Sequence, residues 1–288
     1  MKQLIKDVLA QTDYMLYMKK IKKSKIQVHT VGETIQELIC TEKSMVRFGD
    51  GEITVIAGKN LKLQKVDSEI SDGLKRILSY EHEGMIVTVP EIFSDMSMYR
   101  RESRQFWKEH LLIYRNIYNR YCNKDRVYYS TSFSRFYYAL EDKSICDLWA
   151  NQIREIWKDR DVVVVEGERT HNGVGNNLLD SARSIERIIG PASNAYERIE
   201  EILDCCRKYS KDRLFLVSLG VAAKFIVERL FLNGYRVLDI GNLDVEYEWY
   251  LHKEKGKAPL AKHDITGKEA NRKAGYGEYW EQIKYQII

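Results

Sequence analysis

Short apolar runs alternate along this chain with longer stretches whose apolar residues return every three or four positions. Six runs read as strands: 44–48 (SMVRF), 85–89 (MIVTV), 126–130 (RVYYS), 161–166 (DVVVVE), 213–218 (RLFLVS) and 235–240 (YRVLDI). Val162 to Val165 is apolar without a break, as in a strand covered on both faces of a parallel sheet. Between the runs, Ile70, Leu74, Ile77 and Leu78 share one helical face, as do Trp107, Leu111, Tyr114, Tyr118 and Tyr121. Leu178 to Ile189 also reads as helical, Asn194 with Glu197 forms a variant capping box, and Ala222 to Leu232 joins the last two strands. Strands alternating with helices predict an α/β, Rossmann-like fold with a mainly parallel sheet flanked by helices. In such sheets ligands bind beyond the carboxyl ends of the strands.

Composition narrows the class. The 288 residues are 44% hydrophobic and 31% charged, a balance suited to a globular enzyme. Five cysteines, an odd number with no C-x-x-C pair, argue against a disulfide framework or zinc site and fit a reducing cytoplasm. No apolar run approaches the roughly 20 residues of a membrane span, and no signal peptide is recognisable. The charge of +4 is uneven: residues 1–30 hold seven lysines against two aspartates. This divides the chain into a basic N-terminal helical segment, 1–30, and a domain over 31–288 with a polar tail from about residue 253. Lys19 to Lys25 could rest on anionic lipid at the inner membrane face. No nucleic-acid motif accompanies these lysines, so nucleic acid is not an expected partner.

Four strand ends carry candidate chemistry. In S-M-V-R-F-G-D-G-E (44–52), Asp50 and Glu52 flank Gly51. In an extended chain their side chains point the same way and can share a divalent cation, Mn²⁺ or Mg²⁺. Gly49 and Gly51 permit close approach of a ligand, and Arg47 offers a bidentate phosphate contact. The alternative is a plain Asp-Gly turn. The second end, E-G-E-R-T-H-N-G-V-G-N-N (166–177), combines Glu166, Glu168 and Arg169 with Gly167, Gly173, Gly175 and Asn176. Followed by a helix, such a loop would offer N–H groups to an anion. The third, after strand 235–240, holds Asp239, Asp244, Glu246 and Glu248. A helix starting near Asp244 puts Asp244 and Glu248 on one face and Glu246 on another. The fourth, T-S-F-S-R (131–135), supplies Thr131 and Arg135, and Gly220 after strand 213–218 is a further close-approach position.

Together these strand ends resemble the GT-D-fold glycosyltransferases, a bacterial family first catalogued as a domain of unknown function. The matching stretches are S-M-V-R-F-G-D-G-E, V-V-V-E-G-E-R-T-H-N-G-V-G-N-N-L-L, R-I-I-G-P-A-S-N-A-Y and D-I-G-N-L-D-V-E-Y-E-W, in that order over about residues 40–252. The resemblance implies a Rossmann-like GT-D fold, transfer of a hexose, first of all glucose, from a UDP-sugar to a glycan acceptor, and a metal held by Asp50 and Glu52. It departs from the family pattern at His171, where an arginine is usual, at Asn242, where a histidine is usual, and at G-V-A-A (220–223) in place of G-P-T-A.

The expected protein is a cytoplasmic, metal-dependent glycosyltransferase of bacterial surface-polysaccharide or glycoprotein assembly. Its acceptor would be a glycan, a glycopeptide or a lipid-linked saccharide. The donor would meet Arg47, Gly49, Gly51, Thr131, Arg135, Gly167, Gly173, Gly175, Asn176, Asn194 and Gly220. The base would be one of Glu166, Glu168, Asp244 and Glu246. Two rivals are a metal-dependent phosphoester hydrolase and a non-catalytic nucleotide-sugar-binding adaptor. The sequence does not fix the oligomeric state, a homodimer among the options.

Overall fold

The computed structural model describes residues 12, 15, 26–264 and 277–288, so most of the basic N-terminal segment, with Lys19 to Lys25, lies outside the described residues. Nine strands form one sheet: β1 Gln27–Val28, β2 Ser44–Arg47, β3 Met85–Val89, β4 Val127–Ser130, β5 Asp161–Gly167, β6 Ser184–Gly190, β7 Leu214–Ser218, β8 Arg236–Asp239 and β9 Ile283–Gln286. Their order is β1-β4-β3-β2-β8-β7-β5-β6-β9. Every pairing between them is parallel. All six runs read from the sequence are strands. Val162 to Val165 are fully buried, which explains their unbroken apolar character.

The flanking helices are α1 Val31–Cys40, α2 Asp50–Ile56, α3 Ser68–Ser79, α4 Arg101–Tyr121, α5 Cys146–Glu155, α6 Ile199–Cys206, α7 Ala222–Leu232, α8 Leu243–Leu251 and α9 Gly277–Gln282. Local chemistry sets several starts. Thr30 and Glu33 form a reciprocal capping box on α1, and Asp67 caps α3 by accepting from the Ile70 N–H at 2.9 Å. The expected face of α3 is buried at Ile70, Leu74, Ile77 and Leu78.

The sheet changes direction at the β2–β8 seam. β3 and β4 lie outward of β2 on one side; β7, β5 and β6 lie outward of β8 on the other. The seam is thin, with one registered pair, Met45 opposite Leu238. A crevice at such a switch point is where α/β sheets bind ligands.

Three sequence expectations fail. First, Asp50 and Glu52 are not extended, because α2 begins at Asp50. At about 100° per residue they diverge around the helix. Glu52 is buried and Asp50 is exposed. Second, Leu178 to Ile189 is not a helix but a series of turns leading into β6. Leu178, Ala182, Ile185 and Ile189 imitate a helical period. The backbone instead bonds to the segment before β5: the Leu178 carbonyl accepts from Trp157 Nε1, the Ser181 carbonyl from the Asp159 N–H, and the Arg183 N–H donates to the Arg160 carbonyl. Third, the chain beyond residue 253 is not simply a polar tail. It returns as α9 and β9, which extends the sheet beside β6.

Candidate active site

The carboxyl ends of β2, β5, β7 and β8 open into a cavity of about 740 Å³. Its walls include Arg47, Gly167, Ser218, Gly220, Lys224 and Gly241. Arg47 is the last residue of β2 and only 9% exposed. Its guanidinium lies between two glycines. A Cβ on Gly241 would stand 3.0 Å from Nη1, and one on Gly49 would stand 3.2 Å from Nη2. Gly241 also has φ +50, a conformation that disfavours a side chain. Arg47 Nε is buried without an acceptor, and among the described residues no carboxylate lies within ion-pair distance of the guanidinium. Glu52 and Asp239 offset its charge at longer range, but its N–H donors have no acceptor among the described residues, and such donors fit an anion.

A second anion-seeking element faces the same space. The chain turns at Gly220, φ +54, directly from β7 into α7, with Leu219, Gly220 and Val221 on the cavity wall. The N-terminal end of α7, with its positive dipole, thereby borders the cavity, while the Ala223 and Lys224 N–H groups donate to the Gly220 and Val221 carbonyls at 3.3 Å.

Below Arg47 lies a buried ion cluster. Lys224, on α7, is 2.7 Å from Glu52 Oε1 and 3.0 Å from Asp239 Oδ2. Glu52 Oε2 accepts the Gly49 N–H at 2.7 Å, and Asp239 Oδ1 accepts the Gly241 N–H at 3.0 Å. Burial would raise the Glu52 carboxyl, but Lys224 and Arg47 outweigh it and hold it below its usual range. Burial pushes Asp239 up against the same two cations, with Glu52 adding to the rise. The expected Mn²⁺ or Mg²⁺ site at Asp50 and Glu52 does not fit this arrangement. Both Glu52 oxygens are engaged, and Asp50 is exposed and does not line the cavity. Among the described residues no cluster of three or more His, Cys, Asp or Glu could hold a metal.

The remaining acids mostly hold the architecture. Glu166 is fully buried: it pairs with Arg187 at 2.6 Å and accepts from the Asn172 N–H and side-chain amide at 2.7 and 2.8 Å. Asp244 accepts from the Gly173 N–H at 2.8 Å and from Asn176 at 2.9 Å, and Lys262 lies 2.6 Å from its other oxygen. Burial pushes its carboxyl up, against the pull of Lys262, Asn176 and Gly173. Asn176 and Lys262 also reach Glu248, at 2.6 and 2.9 Å. Glu246 points elsewhere, as expected, pairing with Arg135 at 3.3 Å and accepting from the Tyr137 and Tyr138 N–H groups.

These bonds correct several assignments. The Gly173 N–H is spent on Asp244, Asn176 on two acids, and no helix follows the 166–177 loop, so Gly173, Gly175 and Asn176 are not an anion cradle. Arg135 is committed to Glu246, and Thr131 is buried against Thr88 at 3.1 Å. Neither lines the cavity, nor do Glu168, Gly51 and Glu246. Gly51 instead faces Leu61, 3.4 Å from a Cβ it would carry. Asn194 caps nothing with its side chain. It lines the cavity in a left-handed conformation and pins the 61–65 turn, its Oδ1 accepting from the Lys65 N–H at 2.9 Å. The residues brought together as expected are Arg47, Glu52, Gly167, Asn194, Gly220 and Asp244. Sequence reasoning missed Gly241 and Lys224. The first follows a strand in D-I-G-N; the second is a lone lysine in the apolar helix A-A-K-F-I-V-E-R-L-F-L.

A switch-point cavity with a free guanidinium and a helix N-terminus defines an α/β protein built to take an anionic ligand. The chain belongs to the glycosyltransferases of the GT-D fold, whose family model matches residues 45–268. It is 37% identical over 245 residues to a probable glycosyl transferase, Gly, of Streptococcus gordonii, and 40% identical over 225 residues to the glycosyltransferase GlyD of Streptococcus pneumoniae. Those stretches cover 85% and 78% of this chain but 36% and 28% of the relatives, so the chain spans about a third of their length. A solved structure of domain of unknown function 1792, described as having a distinct glycosyltransferase fold, superposes with a TM-score of 0.88. It is 34% identical and covers 96% of this chain and all of its own. A glycosyltransferase of Streptococcus sanguinis superposes at 0.84 over 91% of this chain and all of its own, again at 34% identity. Among the described residues no helix is long and apolar enough to cross a membrane.

Proposed function

We propose that the chain transfers a hexose, glucose first, from a UDP-sugar to a hydroxyl of a glycan, glycopeptide or lipid-linked saccharide. The carrying observation is Arg47: a buried guanidinium on the cavity wall with no acceptor among the described residues, fitted to a diphosphate. The α7 N-terminus adds the positive end of its dipole beside the phosphates. Both charges are in place before the reaction, so negative charge developing on the leaving diphosphate meets a preorganised field. The acceptor oxygen bonds to the anomeric carbon while the bond from that carbon to the diphosphate oxygen breaks. The electron pair leaves with UDP, and the acceptor proton goes to a carboxylate.

Of the four carboxylates considered as base, Asp244 is the one on the cavity wall. Its position and its raised proton affinity favour it for that role. No step is routed through a divalent ion. The reading is tested by incubating the purified chain with a panel of nucleotide sugars and saccharide acceptors and measuring nucleotide release and glycosylated product. UDP-glucose should be consumed faster with acceptor than without it. Equal rates would favour hydrolysis, and UDP binding without turnover on any acceptor would favour an adaptor. Asp244→Asn should slow transfer by roughly 10²–10⁴-fold while UDP binding is kept; unchanged transfer would remove Asp244 from the base role.

A further inference from the structure

Lys224 is 1% exposed, and its ammonium is ion-paired with Glu52 Oε1 at 2.7 Å and Asp239 Oδ2 at 3.0 Å and donates to the Gly220 carbonyl at 3.2 Å. The ammonium is thus enclosed by protein oxygens, two of them from carboxylates that offset its charge. The other oxygens of the two carboxylates hold the Gly49 and Gly241 N–H groups, the two turns between which Arg47 lies. Each carboxylate therefore joins one wall of the Arg47 slot to one ammonium. A divalent ion at Glu52 would have to expel Lys224 from all three partners. It would also set a further positive charge beside Arg47.

We infer that Lys224 is the resident cation of the Glu52–Asp239 pair, standing where a divalent ion would otherwise bind, and that it positions Arg47 through the Gly49 and Gly241 turns. The assignment of diphosphate to Arg47 rests on the proposed function; the assignment of Lys224 to the carboxylates does not. Lys224 is thus a positioning residue. The Glu52 side of the D-x-E motif serves the slot rather than a metal.

Mn²⁺ is the probe that separates the two arrangements. Its binding is followed by the electron paramagnetic resonance signal of the free ion, with and without UDP. The full chain is compared with Glu52→Gln and Lys224→Ala, folding being checked by circular dichroism. Wild type and Glu52→Gln should hold Mn²⁺ to the same extent, since Glu52 is not a ligand. Lys224→Ala, which frees two facing carboxylates, should bind Mn²⁺ at least about tenfold more tightly than wild type. Wild-type Mn²⁺ binding that falls tenfold or more in Glu52→Gln would overturn the inference. If Lys224→Ala does not fold, the comparison of wild type with Glu52→Gln decides alone, because Gln keeps the side-chain shape and one acceptor oxygen while removing the charge a divalent ion would need. The readout is the ion, so a failure of UDP to bind would count against the donor reading without touching this result.

Discussion

Two walls of the same cavity treat charge in opposite ways. Behind the wall formed by β5 and the 166–177 loop, Glu166 has a cation and two further donors. On the wall formed by β2 and the Gly241 turn, Arg47 is held in a fitted slot and its guanidinium has no acceptor among the described residues. Saturated groups keep a fold in place, and an unspent one keeps a place for something else. The acidic loop thus builds the site, while the arginine waits for the ligand.

The largest expected effect breaks the saturated wall. Glu166→Ala strands Arg187 in the interior and should cost about 3–5 kcal/mol of stability, read as a lower midpoint in urea unfolding. A loss below 1 kcal/mol would mean that the pair contributes little.

Glu91 sharpens the contrast, because it is buried without a cation. It accepts from Ser130 Oγ at 2.7 Å, and burial pushes its carboxyl up to about 7 from an ordinary 4.5. In the unfolded chain Glu91 ionises at the lower value. Between pH 4.5 and 7 the unfolded state therefore binds fewer protons, and stability falls as pH rises through that window. The contribution is on the order of 3 kcal/mol, present in full below the lower value and gone above the upper one. Glu91→Gln should flatten this part of the profile of unfolding free energy against pH. An unaltered profile would show that Glu91 does not titrate there.

The smallest effect concerns the slot itself. Gly241→Ala adds a methyl at positive φ against Arg47 and should cost about 1–2 kcal/mol in stability, with weaker UDP binding besides. Retention of wild-type binding would show that the slot tolerates displacement of the guanidinium.

Much of this fold is legible in the chain because burial on both faces demands continuous apolar runs, and Val162 to Val165 announce β5 unaided. β6 was hidden because its approach carries apolar residues at helical spacing, while the backbone bonds that rule out a helix come from Trp157 to Arg160. β9 was hidden because Ile283 to Gln286 alternates exposed and half-buried positions at the sheet edge. In the site, D-G-E read as extended because Arg47 and Phe48 lead straight into it, yet the Glu52 side chain turns back onto the Gly49 N–H and starts α2. Local sequence marks Asp244 and Glu246 as acids at a helix start. It cannot show that the partners of one are Lys262 and Asn176 and those of the other Arg135 and the Tyr137–Tyr138 backbone, because these meet only through the fold. That Arg47 has no hydrogen-bond acceptor among the described residues shows only once its neighbours in the fold are placed.

The central claim is that Arg47 is kept free for a diphosphate. The most direct test is calorimetric titration of UDP into wild type and Arg47→Met, with urea unfolding of both. The account predicts that the variant loses about 2–3 kcal/mol of UDP binding free energy, the scale of hydrogen bonds to a charged group. It also predicts that the variant loses less stability than Glu166→Ala, because Arg47 makes no hydrogen bond or close ion pair among the described residues and acts on Glu52 and Asp239 only at longer range. UDP binding that survives in Arg47→Met, or a variant that loses stability as a broken ion pair would, contradicts it.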